Sequence, residues 1–326
     1  MKTSAWLRIA ATVLALGVLA PPTSLAQVPG RFYWKTLSDG NAVPLIVNSI
    51  SGNTNPFDMS HTVTPGADLD ATLAMTGYAH TFTLWDRSAL AAIILPMGRI
   101  SGDVTTVAGK TANQSVSGFG DPMLEFNLNL IGPKAQKNIP DMLRYEPGFS
   151  VDLLADLALP IGEYDSSQPL NIGQNRWYGR IGAPVIWQLG SWVPGRRTTL
   201  EFLPAVWLFG NNTDYVGKTL KTDPLFQLDA HLTRDFTENF WGAIDASWYS
   251  GGRASVNGVE GKKLNNLGVG LTLGYTINSN LNLTFGYKST INDSAPTDLR
   301  MDGFMITLVY GWHPLIEGSK RLKSGE

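Results

Sequence analysis

The chain has 326 residues, 43% of them hydrophobic, no cysteine and a net charge of −2. That balance offers no basic surface for nucleic acid, and the missing cysteines exclude a disulfide framework. Beyond the N-terminus no apolar run approaches the roughly 18–20 residues of a membrane-spanning helix. A mean hydropathy of −0.03 leaves a membrane barrel open, because its polar and apolar faces cancel.

The chain opens on a targeting segment. Lys2 and Arg8 flank the start of an apolar core, IAATVLALGVLA over 9–20, and Ser24-Leu25-Ala26 places small residues ahead of a cut before Gln27. Residues 1–26 are read as a cleaved signal peptide rather than an anchor, since the core is short and a cleavage site follows. Its removal takes two positive charges and leaves a more acidic mature chain.

Residues 31–35 (RFYWK) are aromatic, and a first strand is expected over 43–50, with Pro44 near its start. Residues 51–68 are rich in turn formers and read as a long loop. Strands two and three, 69–85 and 89–100, meet at a tight turn, and 101–117 reads as a polar loop. Strand four, 121–131, sets Leu124, Phe126, Leu128 and Leu130 against Glu125, Asn127 and Asn129. After a proline-bearing link (132–147), strand five, 148–159, turns Phe149, Leu153 and Leu157 one way and Ser150, Asp152 and Asp156 the other. Strands six (175–189) and seven (197–209) follow, separated by turn 190–196.

The clearest stretch is 221–292. Phe226, Leu228, Ala230 and Leu232 alternate with Gln227, Asp229, His231 and Thr233. Beyond the turn 235–238, Ile244, Ala246 and Trp248 alternate with Asp245, Ser247 and Tyr249. After loop 250–262 come Leu267, Val269, Leu271 and Leu273, then, past the turn 277–280, Leu283, Phe285 and Tyr287. A last strand over 301–312 carries Phe304, Ile306, Leu308, Tyr310 and Trp312 on one side. A period of two sends successive side chains to opposite faces of a sheet. One face here is apolar and the other polar, as in a barrel wall with lipid outside and water inside.

The expected fold is therefore all-β: a transmembrane antiparallel barrel of the bacterial outer membrane with about twelve strands. It would span 27–312, with a tail over 313–326. Long loops (51–68, 101–117, 160–174, 210–221, 250–262, 292–300) alternate with mostly shorter links (85–88, 132–147, 190–196, 235–238, 277–280), and only 132–147 breaks the rule. Long loops face outward in such barrels and short turns face the periplasm, with both termini on the periplasmic side. Aromatics near strand ends (Trp85, Trp177, Trp187, Trp248, Tyr249, Tyr287, Tyr310, Trp312) fit interfacial girdles.

Glu125, Asp152, Asp156, Arg180, Glu201, Asp229, His231, Asp245 and Lys288 fall on the polar phase of their strands and are the candidate lumen-lining residues. Facing lipid at mid-depth, basic residues would each cost about 2–4 kcal/mol. The lumen they line is either a narrow pore or a closed bed of ion pairs. Gly268, Gly270, Gly274 and Gly286 leave either space or a seat for bulky neighbours. The four histidines (His61, His80, His231, His313) show no metal spacing, and no cofactor is expected. His231 beside Asp229, with Asp245 on the next strand, could mimic a catalytic pair. A lumenal histidine bonded to a carboxylate is the ordinary outcome, and no Gly-x-Ser-x-Gly elbow occurs.

Three motifs fall at the expected extracellular rim. They are Gly118-Phe119-Gly120-Asp121, Leu159-Pro160-Ile161-Gly162-Glu163-Tyr164 and Asn171-Ile172-Gly173-Gln174-Asn175-Arg176-Trp177. In their order and spacing, and over roughly 53–312, the chain resembles a family of outer-membrane proteins linked to the meta-cleavage pathway of phenol degradation. That resemblance implies a barrel that takes up hydrophobic or aromatic compounds, with outer-membrane lipid, such a solute and the barrel-assembly machinery as partners. It brings no catalytic residues, so the chain is not expected to be an enzyme. Two alternatives stand beside it: an outer-membrane enzyme acting on lipid, and a structural barrel with a filled lumen. The sequence departs from common outer-membrane practice at its end, where Trp312 is followed by 313–326 instead of closing the chain. Gly118, Gly120, Pro160, Gly162 and Gly173 are read as shaping loops, with Asp121, Tyr164, Asn171, Asn175 and Trp177 as bracing or ligand contacts.

Overall fold

The computed structural model describes residues 28–105, 111–291 and 294–318, so the leader expected over 1–26 and the end of the expected tail lie outside the described residues. The strands in chain order begin with β1 (Asn41–Gly52), β2 (Asp68–Leu84), β3 (Arg87–Thr105), β4 (Thr111–Phe119), β5 (Met123–Ile131) and β6 (Phe149–Ala158). Next come β7 (Tyr178–Gly182), β8 (Val185–Gln188), β9 (Thr198–Phe209), β10 (Asn212–Tyr215), β11 (Lys218–Thr222) and β12 (Leu225–Asp235). The last are β13 (Phe240–Gly251), β14 (Ala254–Val256), β15 (Val259–Glu260), β16 (Leu264–Thr276), β17 (Leu281–Thr290) and β18 (Met301–Trp312).

All wall pairings are antiparallel. β4 and β5 pair in succession with β3, and β7 and β8 lie in succession between β6 and β9, so each couple forms one stave. β1 pairs with β18 and β9 with β12, which closes the sheet into a barrel of 12 staves. Closure leaves no sheet edge, the condition for a strand structure to sit in lipid. Pro184 breaks the β7–β8 stave because proline has no N–H for the ladder. The gap is bridged by Ala183 N–H to the Pro204 carbonyl and Asp152 N–H to the Pro184 carbonyl, both 2.9 Å.

The exterior is apolar to a degree water would not tolerate. Ile244 on β13 is 65% exposed while its neighbour Asp245 is 1% exposed. Leu271, Phe285, Phe304 and Ile306 continue that outer band across β16, β17 and β18. An outward apolar band over a polar interior is the pattern of a barrel in lipid. Leu271→Lys, at mid-strand on this band, is expected to cost about 2–4 kcal/mol in a folding titration in lipid vesicles.

Two loops hold more structure than their composition suggests. The polar loop expected over 101–117 is a hairpin: β3 runs on to Thr105, β4 starts at Thr111, and Gly102 faces Gln114 in register. Ile100, Val104 and Val116 keep the alternation going beneath the Ser and Thr residues, and this prolongs both strands. Loops 210–221 and 250–262 contribute β10, β11, β14 and β15, which form a separate four-stranded sheet. At the other end, Trp85 and Asp86 (φ 51° and 66°) make a two-residue turn with both central residues left-handed. The long link 132–147 carries a short helix, α1 (Ile139–Arg144), capped by Asn138, whose side chain accepts from Asp141 N–H. Lys134 and Lys137 from that link both pair with Asp86.

Candidate functional site in the lumen

The segment 28–38 runs inside the barrel. Arg31 is in the left-handed region (φ 68°) and folds the segment into a tight turn against the wall. Its N–H donates to Glu201 Oε2 at 2.8 Å, and Trp34 Nε1–H donates to the other Glu201 oxygen at 2.7 Å. Arg31 Nη1 reaches Asp235 Oδ1 at 2.6 Å, and Arg197 Nε holds the second Asp235 oxygen at 2.7 Å. The Arg31 guanidinium lies 4.3 Å from the Trp34 ring centre and 4.5 Å from that of Trp241. Arg197 lies 5.1 Å from Trp34 and 5.5 Å from Trp192. Rings and cations thus alternate as Trp241, Arg31, Trp34, Arg197 and Trp192, each desolvated contact adding on the order of 1–2 kcal/mol.

Further ties run along the segment. Lys35 pairs with Asp152. Lys288 donates to the Val28 carbonyl at 3.1 Å, and His313 Nε2 donates to the Ser38 carbonyl at 2.6 Å. The lumenal glycines are seats rather than open space where they matter here. A Cβ on Gly274 would fall within 2.1 Å of the Trp241 indole, and one on Gly270 within 2.7 Å of the Lys288 chain.

The remaining candidate residues line the same interior. Arg180 Nε binds Asp156 at 2.5 Å, with its guanidinium 4.9 Å from the Trp207 ring. Trp207 donates to Gln227 at 2.7 Å, which donates to Asp229 at 2.6 Å. Glu125 is buried beside Asp156, opposite it in register. His231 Nδ1 meets Asp245 at 2.6 Å, and Thr272 donates to the other Asp245 oxygen at 2.5 Å. This histidine–carboxylate pair has the geometry of an acid–base dyad. Its Nε2 has no hydrogen-bond partner among the described residues, so no hydroxyl is poised there as a nucleophile. Among the described residues no cluster of His, Asp and Glu could hold a metal ion.

Sequence reasoning missed the segment 28–38 as an occupant of the lumen, and it missed Asp235. The alternation places Asp235 in a turn, but it ends β12 and points inward to two arginines. The available signal was the motif RFYWK, whose cations and ring N–H complement an acidic wall.

The rim motifs converge. Asp121 Oδ1 accepts from Gly162 N–H at 2.9 Å and Oδ2 from Gln174 N–H at 2.8 Å. The backbones at Gly120, Gly162 and Gly173 stack so closely that a Cβ on Gly162 would lie 2.6 Å from the Gly120 carbonyl carbon, and one on Gly173 2.6 Å from that of Gly162. Glycine is required at both, because nothing larger fits. Gly118 makes room for the Glu163 carboxylate, which accepts from Phe119 N–H at 3.2 Å. Asn212 links the group, donating to the Tyr164 hydroxyl at 2.8 Å and accepting from Asn175 at 3.2 Å. Asn171 accepts from Asp165 N–H at 2.7 Å. Pro160 precedes the stack, and Trp177 stays exposed.

Loop 53–67 folds inward from this rim. Phe57 and Met59 join a buried apolar cluster with Leu73, Met75, Ile94, Ile100, Met301 and Met305 from the wall. Arg176, from the third motif, binds Asp58 at 2.9 Å, donates to Thr222 at 2.7 Å, and stacks 5.0 Å from the Phe209 ring. His61 sits edge-on to Tyr249 at 4.9 Å. Burial pushes the Asp58 carboxyl up, but Arg176 and bonds from Ser60 outweigh it, so it titrates below its usual range. Burial pushes the His61 imidazole down to about 4, against the opposing pull of Asp58.

A loop that leaves the lumen regains an ordinary imidazole near 6.5, so docking is at full strength above that pH. It weakens as pH falls toward 4, by about 3 kcal/mol in all. Asp58 acts in the same direction at lower pH. A spin label at Thr62 should gain mobility between about pH 7 and about pH 4.5, and His61→Gln should abolish the change.

The comparisons with known proteins fit this geometry. The fold is similar to the COG4313 outer membrane channel from Pseudomonas putida F1, with a TM-score of 0.70 and 17% identity over 88% of this chain and 100% of that one. It is more distantly similar to the transport unit of the autotransporter AIDA-I from Escherichia coli, with a TM-score of 0.50 and 10% identity over 88% and 93%. No curated protein sequence matches the chain. The family model described as "Putative MetA-pathway of phenol degradation" matches residues 52–308, and the chain belongs to that family.

Proposed function

We propose that the protein is an outer-membrane channel for passive uptake of small hydrophobic or aromatic compounds. The observation that carries this reading is the division of the lumen. Its periplasmic part is a bed of ion pairs around the segment 28–38, while its outer part is lined by the apolar cluster of Phe57, Met59, Met75, Ile94, Met301 and Met305. A path for sugars or ions needs polar walls throughout. An apolar cluster beneath the rim suits a solute that leaves water on entry. Membership of a phenol-degradation family and likeness in fold to an outer membrane channel support the same reading.

In this reading the leader over 1–26 is cut on export, 27–312 forms the barrel unit and 313–326 is a tail that meets the lumenal segment through His313. The nine lumenal charged and histidine residues hold the segment and the wall together, the rim motifs brace the loops, and the chain carries out no reaction. One observation favours a second reading, a structural barrel: the lumen is filled from both ends. Uptake separates the two. Cells expressing the protein should take up labelled toluene at low external concentration several-fold faster than cells lacking it. Equal rates would leave the structural barrel.

A further inference from the structure

We propose that loop 53–67 is a latched inner lid, and that Phe57 and Met59 occupy the seat a small aromatic solute takes when the lid lifts. This rests on the uptake reading above. Several features of the loop carry it. Its roots are fixed: Asn53 donates to the Asp298 carbonyl at 2.8 Å and accepts from Arg300 N–H at 2.9 Å, and Asp68 at the other end pairs with Arg300 at 2.8 Å. Its tip is held mainly by side chains. Asp58 meets Arg176 at 2.9 Å, Ser60 accepts from the same guanidinium at 3.3 Å, and Asn55 donates to the Asn171 carbonyl at 2.7 Å. A segment with firm roots and a tip held by a few polar contacts is built to move as a unit.

What the tip covers is equally specific. The Phe57 ring packs over Gly98, whose absent side chain lets the ring approach to 3.0 Å of an ideal Cβ position. The cluster around it is rich in methionine (Met75, Met301, Met305), a side chain that adapts its shape to different apolar partners. A phenyl group buried among adaptable side chains marks the size and chemistry of its substitute: a single aromatic ring without charge. The polar atoms near the tip point the same way. Arg176 Nε, His61 Nδ1 and the Tyr249 hydroxyl are buried with no hydrogen-bond partner among the described residues in the docked state, so lifting the lid returns them to water. The docked loop is therefore closed without being maximally stable.

The test is a double-mutant cycle read as toluene binding to the purified, folded barrel. Asp58→Asn weakens the latch, and Phe57→Ala removes the side chain that stands in for the solute. Each single variant should bind toluene about tenfold more tightly than the native chain, because each removes part of the cost of vacating the seat. The two effects should overlap strongly, since Asp58 matters only through what the tip covers. Glu238→Gln, on an exposed turn at the opposite end of the barrel, serves as control and should leave affinity unchanged. Unaltered binding in both single variants, or two effects that simply add, overturns the lid. Uptake by cells is read separately. Native uptake with an additive cycle sinks the lid alone, whereas coupling in the cycle with no uptake by any variant sinks the uptake reading on which the lid rests.

Discussion

Asp235→Ala is expected to expel the N-terminal segment from the lumen while leaving the barrel wall closed. The Asp235 carboxylate is 1% exposed and is the shared partner of Arg31 and Arg197, whose side chains are 6% and 4% exposed. Gly195 N–H also donates to it at 3.0 Å. Removing the acid strands two buried guanidiniums in one place, and breaking a buried pair in this way costs about 3–5 kcal/mol. The wall has little freedom to respond, because Arg197 directly precedes β9 and its carbonyl accepts from Asp235 N–H at 2.9 Å. The segment has only side-chain and loop contacts to lose. Arg31 therefore escapes to water and takes Trp34 and its hold on Glu201 with it. A cysteine at Phe32, buried in the native protein, should become accessible to a polar thiol reagent in the variant. Arg31→Ala should be milder, since Asp235 keeps Arg197.

Deleting residues 28–38 has the second large effect, on ion flow. An eight-stranded barrel is filled by its own side chains and one of sixteen to eighteen strands holds a wide channel. Twelve staves lie between, so occupancy by the segment decides whether the periplasmic half of the lumen is open, while loop 53–67 covers the outer half. The deletion removes Arg31 and Lys35 and leaves Asp152, Glu201 and Asp235 facing water. Arg180, Arg197 and Lys288 then face a larger number of carboxylates. During openings of loop 53–67 the truncated barrel should pass a several-fold larger current than the native one in a planar bilayer, with preference for cations, as rings of acidic side chains give. The preference should fade in Asp152→Asn combined with Glu201→Gln.

The sequence made the wall legible because a barrel in lipid obeys a single rule over its whole height. Phe226 to Thr233 and Ile244 to Tyr249 alternate without a slip, and the observed faces follow that alternation. Closure into twelve staves follows from counting such stretches. The rule fails where a segment is not part of the wall. Arg31 to Lys35 alternate with nothing, since they pack against acids from β6, β9 and β12 that are far away in sequence. Phe57 and Met59 sit among turn formers, and only the folded loop shows that they face the interior. The lumenal glycines could mean space or a seat, and the Trp241 indole over Gly274 decides for the seat at that position. The rim motifs were visible as motifs, but their joint cause, three backbones in contact, needs the fold that brings 120, 162 and 173 together.

The central claim is that apolar solute passes through the lumen and not along the outside of the barrel. A photoactivatable aromatic probe, supplied to intact cells and cross-linked in place, tests this most directly. Adducts are expected on Met75, Tyr249, Met301 and Met305, which line the interior. Adducts confined to Ile244, Phe285 and Phe304 on the lipid face would contradict it.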